Sequence, residues 1–307
     1  MHDLVGKTVA VTGATGFLGG HIAEELVSRG AEVIGVVRSP EKGAWLVGPQ
    51  VRFRRADLAD PGSLVEAFAD VDAVVANAAL SPGWQKHDEA AFVAANVLGT
   101  VNTLRAAAQA GAQRVVKIST VAVYRTRLHV RVGEDGELID PDRRTLDLNR
   151  LTTDPQYSRT KAAAEREAWT LADELGLSLT ALRPGPIYGP RDAKLTARYG
   201  RWMSSRVRLA PTAEVPHVHG RDVAGAVGGA LANPASGGRA YNVTASSVSI
   251  FRLLSTWKRL AGTGPMLIPI PVPIRVRFDD SAARRDLGFT PRSLEDGIRD
   301  VIAGSRD

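Results

Sequence analysis

The chain has no cysteine. Disulfides, thiolate nucleophiles and zinc–sulfur centres are excluded with it. Aromatic residues are scarce, 6% of 307 positions, and they do not interleave with the arginines as a base-stacking platform requires, so no nucleic acid is expected as a partner. No uninterrupted apolar run approaches the roughly 20 residues of a membrane-spanning helix. Pro265 to Ile274 is apolar but is cut by four prolines, so no membrane partner is expected. Met1-His2-Asp3-Leu4 shows neither a basic n-region nor an apolar h-region. No signal peptide is expected, and the cytoplasm is the expected location. Internal repeats and low-complexity tracts are lacking. His217 and His219 alternate like ligands on a strand, but with no third ligand in view no metal is expected.

What is present is an ordinary globular composition, 44% hydrophobic and 23% charged, with a formal net charge of +6. The excess is mostly arginine, densest at Arg198, Arg201, Arg206 and Arg208. It reads first as a solvated basic surface and second as a site for an anionic ligand.

The N-terminal stretch organises the rest. Thr8 to Val11 is an apolar run that reads as a buried strand. Glycines recur at Gly13, Gly16 and Gly19, around Thr15, Phe17 and Leu18. Ile22, Ala23, Leu26 and Val27 then share one helical side, opposite Glu24, Glu25 and Arg29. Strand, glycine turn and helix together let backbone N–H groups approach a pyrophosphate at a helix N-terminus. A lone glycine triplet is also found in plain strand–helix turns; its place after an N-terminal strand is what favours a dinucleotide.

Further strands are predicted at 32–37, 51–55, 73–76, 114–119 and 178–182, and helices at 62–69, 90–110 and 158–175. The alternation predicts an α/β fold, a doubly wound parallel Rossmann sheet with right-handed crossovers. After Tyr188 the alternation degrades and proline rises. Residues 1–187 are therefore read as the dinucleotide-binding domain. Residues 188–307 are read as a smaller, irregular substrate-binding region, with about 215–245 returning to the Rossmann core.

Ser119-Thr120 follows the fifth strand, and Tyr157-Ser158-Arg159-Thr160-Lys161 opens the long helix. Tyrosine and lysine four apart share a helix face, with about 5–6 Å between Cβ atoms. An ammonium that near favours the phenolate and predicts a tyrosine pKa below the usual ~10. Such a phenol beside a hydroxyl suits proton transfer to an alcohol oxygen.

These motifs, with Asp57-Leu58, Asn77-Ala78-Ala79, Asn96-Val97-Leu98-Gly99-Thr100, Arg183-Pro184-Gly185-Pro186-Ile187-Tyr188-Gly189-Pro190 and Leu287-Gly288-Phe289-Thr290-Pro291, resemble the extended short-chain dehydrogenase/reductases, a group of NAD(P)-dependent epimerases, dehydratases and ketone reductases. The resemblance covers nearly the whole chain. It implies that Tyr157 is the acid/base and that Lys161 binds the nicotinamide ribose and tunes Tyr157. It places Thr120, rather than Ser119, on the substrate oxygen. Asp57 and Leu58 would flank the adenine, Asn77, Ala78 and Ala79 the dinucleotide, and Pro184, Gly185, Pro186 and Ile187 the nicotinamide carboxamide. Asn96 is expected either to hold Lys161 or a relay water, or to pack a helix. Toward the substrate stand Trp84, Tyr124 and Arg191, for which packing and surface charge are the plainer roles. Family members often pair through two helices per partner, so a homodimer is expected.

Arg38 ends the second strand, where a carboxylate would bind the ribose hydroxyls of NAD. Arginine there, with Ser39 beside it, suits a 2′-phosphate, so NADP is expected ahead of NAD. Dehydratases of the group carry Asp-Glu after the catalytic threonine; here Val121-Ala122 follows, which argues against elimination. The expected activity is an NADPH-dependent carbonyl reductase or alcohol dehydrogenase acting on a small molecule. A nucleotide-sugar epimerase is the alternative, and a non-catalytic dinucleotide sensor the second.

Overall fold

The computed structural model describes residues 3–46, 48–82, 88–125, 131–142 and 154–304. The predicted strands become β1 (Thr8–Thr12), β2 (Glu32–Val37), β3 (Val51–Arg55), β4 (Ala73–Ala76), β5 (Arg114–Ile118) and β6 (Ser178–Pro184). Later come β7 (Val207–Pro211), β8 (Arg239–Val243) and β9 (Met266–Ile270). All except β7 and β9 form one parallel sheet in the order β8-β6-β5-β4-β1-β2-β3. Strand order reverses between β1 and β4, which opens a crevice beyond their C-terminal ends.

Helices cover both faces: α1 (Phe17–Ser28), α2 (Pro61–Ala67), α3 (Gly99–Gln109), α4 (Pro155–Leu175), α5 (Leu195–Met203), α6 (Gly220–Ala232), α7 (Ile250–Ala261), α8 (Ser281–Leu287) and α9 (Leu294–Gly304). Val9, Val11, Val33, Val75 and Val116 meet Ile22 and Leu26 of α1 and Val223 and Val227 of α6. Their neighbours Ala10, Ile34, Val74 and Val115 point the other way, to Leu64 of α2, Leu104 of α3 and Leu171 of α4. Strands buried on both faces need apolar residues at every position, which is why the runs are continuous rather than alternating.

Two helices differ from expectation by three residues or more. The helical stretch from 90 to 110 is not one α-helix: a short turn, Glu89–Phe92, passes into a π-helical stretch, Val93–Leu98, before α3. The other, α4, begins three residues early because Asp154 caps it, accepting the Gln156 N–H at 2.8 Å, with Pro155 in the first turn. Gly176, at φ +66°, ends it.

The later segments divide. α6 packs on α1, and β8 becomes the outermost strand beside β6. The separate parallel pair β7–β9 packs with α5, α7 and α9 around Tyr199, Ala210, Leu253, Leu254 and Ile298.

Candidate active site

The glycine turn is the tightest part of the crevice. Gly13 has φ +69°, and a Cβ on Gly19 would lie 2.1 Å from the Gly13 carbonyl oxygen. Only glycine permits that approach. Gly16 begins α1 without a side-chain cap, so the backbone N–H groups of Phe17 and Leu18 lie at a helix N-terminus that favours an anion. Thr15 is half-buried beside them. The Thr12 hydroxyl, which sequence reading passed over, accepts the N–H groups of Asn77 and Ala78, both at 3.0 Å. The Asn77 amide donates to the Thr12 carbonyl at 3.1 Å. These bonds lay Asn77, Ala78 and Ala79 along the glycine turn, and the cradle they form fits a dinucleotide.

Thr120 and Tyr157 meet across the end of β5. Thr120 leaves the strand at its C-terminus, and its Oγ1 accepts the Ala122 N–H at 3.2 Å. The same hydroxyl lies beside the Tyr157 phenol and favours its ionised form. Phe92 lies edge-on to the Tyr157 ring, with centroids 6.3 Å apart. One turn further along α4, Lys161 is buried and its Nζ donates to the Ile118 carbonyl at 2.7 Å. Two pKa directions follow. Burial pushes the Tyr157 phenol up to about 12, against the pull of the Thr120 hydroxyl beside it. Burial also brings Lys161 down to about 8, opposed by Glu165. The phenol was expected below 10. It is not, because burial outweighs any neighbour and the ammonium is turned to a backbone carbonyl.

Residues 9–244 match the NAD dependent epimerase/dehydratase family. The chain belongs to this family. The 2-alkyl-3-oxoalkanoate reductase of Stenotrophomonas maltophilia is 35% identical over 213 residues, covering 66% of this chain and 57% of that protein. Tetraketide alpha-pyrone reductase 1 of Arabidopsis thaliana is 30% identical over 99% of this chain and 96% of its own length. The solved structure of MoeE5 in complex with UDP-glucose and NAD overlays at TM-score 0.79 and 29% identity, covering 97% of this chain and 98% of that one.

Within this family fold the other residues of the site and its surroundings fall into three groups. Arg38 is exposed at the end of β2 and Ser39 is half-buried. Arg55 is exposed at the end of β3, in register with Val37, and it is a second cation that sequence reading did not name. Asp57 is exposed and turns its carboxylate onto the Ala59 N–H at 3.0 Å, while the Leu58 carbonyl accepts from Asn102 at 2.8 Å. Across the crevice, Pro184 to Ile187 is held by backbone bonds, Gly185 N–H to Val243 at 3.3 Å and Val218 N–H to Pro186 at 3.0 Å.

The second group, where the structure describes it, is engaged by other protein groups. Asn96, in the π-helical stretch, does not bond Lys161. Its amide oxygen accepts the Leu80 N–H at 2.8 Å, and its nitrogen donates to the Leu80 carbonyl at 3.1 Å and to Thr160 Oγ1 at 3.3 Å. It ties the loop after β4 to α4. Tyr124 is fully buried, and its hydroxyl is taken by Asn242 at 2.8 Å and Arg183 at 2.6 Å, so it lies beneath the crevice rather than lining it. Arg191 is bound to Glu24 of α1 at 2.6 and 2.8 Å and stacks on Trp45 at 4.4 Å. Against its burial, hydrogen bonds from His21 and then Arg191 draw Glu24 down to about 2, and the guanidinium is committed to protein. Trp84 lies outside the described residues. His217 bonds Tyr199 at 2.9 Å and the Val215 carbonyl at 3.1 Å, and burial lowers it to about 4.

In the third group only Ser119 was weighed in the sequence. Ser119 turns away from the crevice and donates to Glu165. Glu165, 1% exposed, also receives Arg183 through Nε at 3.0 Å and through Nη2. Lys117, fully buried on β5, donates to Thr100 at 2.9 Å, and burial holds it well below the ordinary lysine value. The signal for Glu165 was its spacing, one helical turn after Lys161. At the crevice rim, Lys194 donates to Ser81, linking the second region to the loop after β4.

Proposed function

We propose that the protein is an NADPH-dependent carbonyl reductase, and in reverse an alcohol dehydrogenase, acting on a small-molecule ketone. The observation that carries the reading is the Thr120 hydroxyl set beside the Tyr157 phenol at the end of β5, one helical turn from a buried lysine. The turn at Gly13, Gly16 and Gly19 would hold the pyrophosphate, and Arg38 with Arg55 the 2′-phosphate. When bound, NADPH supplies the hydride. Tyr157 gives its phenolic proton to the carbonyl oxygen, and Thr120 holds that oxygen in place. A phenol raised to about 12 stays protonated at neutral pH, which is the form reduction requires. Lys161 supplies positive charge beside the ribose and the phenol.

The test is reduced-nicotinamide absorbance with a panel of ketones. Tyr157→Phe is expected to lower turnover about 10²–10⁴-fold while NADPH still binds; normal turnover removes the proposed acid. Arg38→Asp is expected to weaken NADPH binding about tenfold or more and to spare NADH. Unchanged NADPH affinity overturns the cofactor assignment.

A second reading, a nucleotide-sugar epimerase using NAD, is favoured by one observation, the UDP-glucose and NAD held by MoeE5. Isomerisation of a sugar nucleotide without net consumption of cofactor would establish it over the reductase. For assembly, we propose a homodimer through α4 and the neighbouring helical face, where Val93 and Leu98 are 37% and 53% exposed.

A further inference from the structure

The pair β7–β9 shows an apolar surface on both sides. On the inner side, Ala210 and Leu267 pack toward Leu253 and Leu254 of α7. On the outer side, the register sets Val207 beside Met266, Leu209 beside Ile268 and Pro211 beside Ile270. Those positions are open to solvent: Leu209 is 56% exposed and Met266 58%. A solvated sheet face ordinarily turns polar at alternate positions. A contiguous patch of this kind marks a contact surface.

The charge around it is one-sided. Residues 193–213, which build α5 and β7, and residues 250–274, which build α7 and β9, together hold eight lysines and arginines and no aspartate or glutamate. Elsewhere in the chain acidic residues outnumber basic ones, 33 to 31. The positive net charge therefore resides in the lobe that carries the apolar face. Arg206 is exposed at the start of β7, and Lys258 reaches the Pro265 carbonyl just before β9 at 2.9 Å. The lobe's acidic helix, α9, packs on α7 and takes Arg259 through Glu295.

Although the lack of a membrane-spanning run led to the expectation of no membrane partner, we propose that this face docks the protein onto the surface of an anionic lipid bilayer, with the outer side chains of β7 and β9 seated among the acyl chains and the lobe's cations over the headgroups. Each such cation strengthens attachment to an anionic surface about fivefold, and shallow burial of several large aliphatic side chains adds the apolar part. A second copy of the chain fits poorly, because a twofold contact would press two cationic lobes together. Strand addition fits poorly too, since Pro269 has no N–H to offer along β9. The inference is independent of the reaction catalysed.

Flotation of the full chain with phosphatidylcholine–phosphatidylglycerol vesicles, against phosphatidylcholine alone, tests it. Binding is expected to the mixed vesicles only and to weaken as salt rises. The double variant Leu209→Ser, Ile268→Ser is expected to lower bound protein about tenfold or more while its far-UV circular dichroism and cooperative urea unfolding are kept, which shows the fold intact. Three results would overturn the proposal: wild type that does not float, a double variant that floats equally well, or wild-type self-association that the double variant abolishes.

Discussion

Lys161 is 3% exposed, an unusual place for an ammonium. An ordinary lysine titrates near 10.5, and this one is held at about 8. Between those values the unfolded chain carries a proton that the folded chain does not, so folding is favoured as pH rises from 8 to 10.5. Below pH 8 the buried charge costs about 3 kcal/mol at most. Lys161→Met is therefore expected to gain stability relative to wild type at pH 7 and to lose that advantage by pH 10.5, in urea unfolding at the two pH values. A pH-independent difference would show that the ammonium is not the source. Glu165→Gln is expected to act in the opposite sense, losing about 3–5 kcal/mol, because it leaves Arg183 buried without its carboxylate. The roles of Tyr157 and Lys161 were suggested by their four-residue spacing. The direction of the Tyr157 shift was not legible, because it depends on how Phe92 and the end of β5 close around the ring, and no local pattern encodes that closure.

At the scale of elements, the glycine turn and the parallel strands were readable because each follows from a local rule: φ above zero at Gly13, and apolar runs for strands covered twice. The π-helical stretch holding Asn96 was not, since apolar periodicity does not separate an α turn from a widened one. The β7–β9 pair was hidden for another reason. Its strands are more than fifty residues apart and rich in proline, so their pairing is fixed by the α7 core rather than by neighbours in sequence. The turn itself offers a paired test. Gly19→Ala places a methyl 2.1 Å from a backbone oxygen that has nowhere to move. Gly20→Ala places one against the Trp45 ring, which is 46% exposed and can swing away. The first is expected to cost more than about 2 kcal/mol and to abolish dinucleotide binding, the second less than about 1 kcal/mol. Calorimetry with a cofactor titration separates them, and equal costs would mean that the turn yields as easily as a side chain.

For the whole molecule, the question is what joins the second region to the Rossmann unit. Part of the answer is His217, three residues before α6, whose ring reaches Tyr199 of α5 and is held by the Val215 carbonyl. Its ring is neutral and buried, held at about 4 rather than 6.5. Between those pH values the unfolded chain takes up a proton that the folded chain refuses, so stability falls as pH drops from 6.5 to 4, by about 3 kcal/mol from this residue. His219, at about 3, extends the loss to lower pH. The second region is thus expected to loosen first in acid. His217→Gln removes one titrating ring and is expected to flatten the fall in unfolding free energy between pH 6.5 and pH 4 by about 3 kcal/mol, whatever its effect at pH 7. Because the slope rather than the absolute stability is compared, damage to packing does not mimic the result. A variant that falls as steeply as wild type would place the acid sensitivity elsewhere, in the carboxylates of the surface ion pairs.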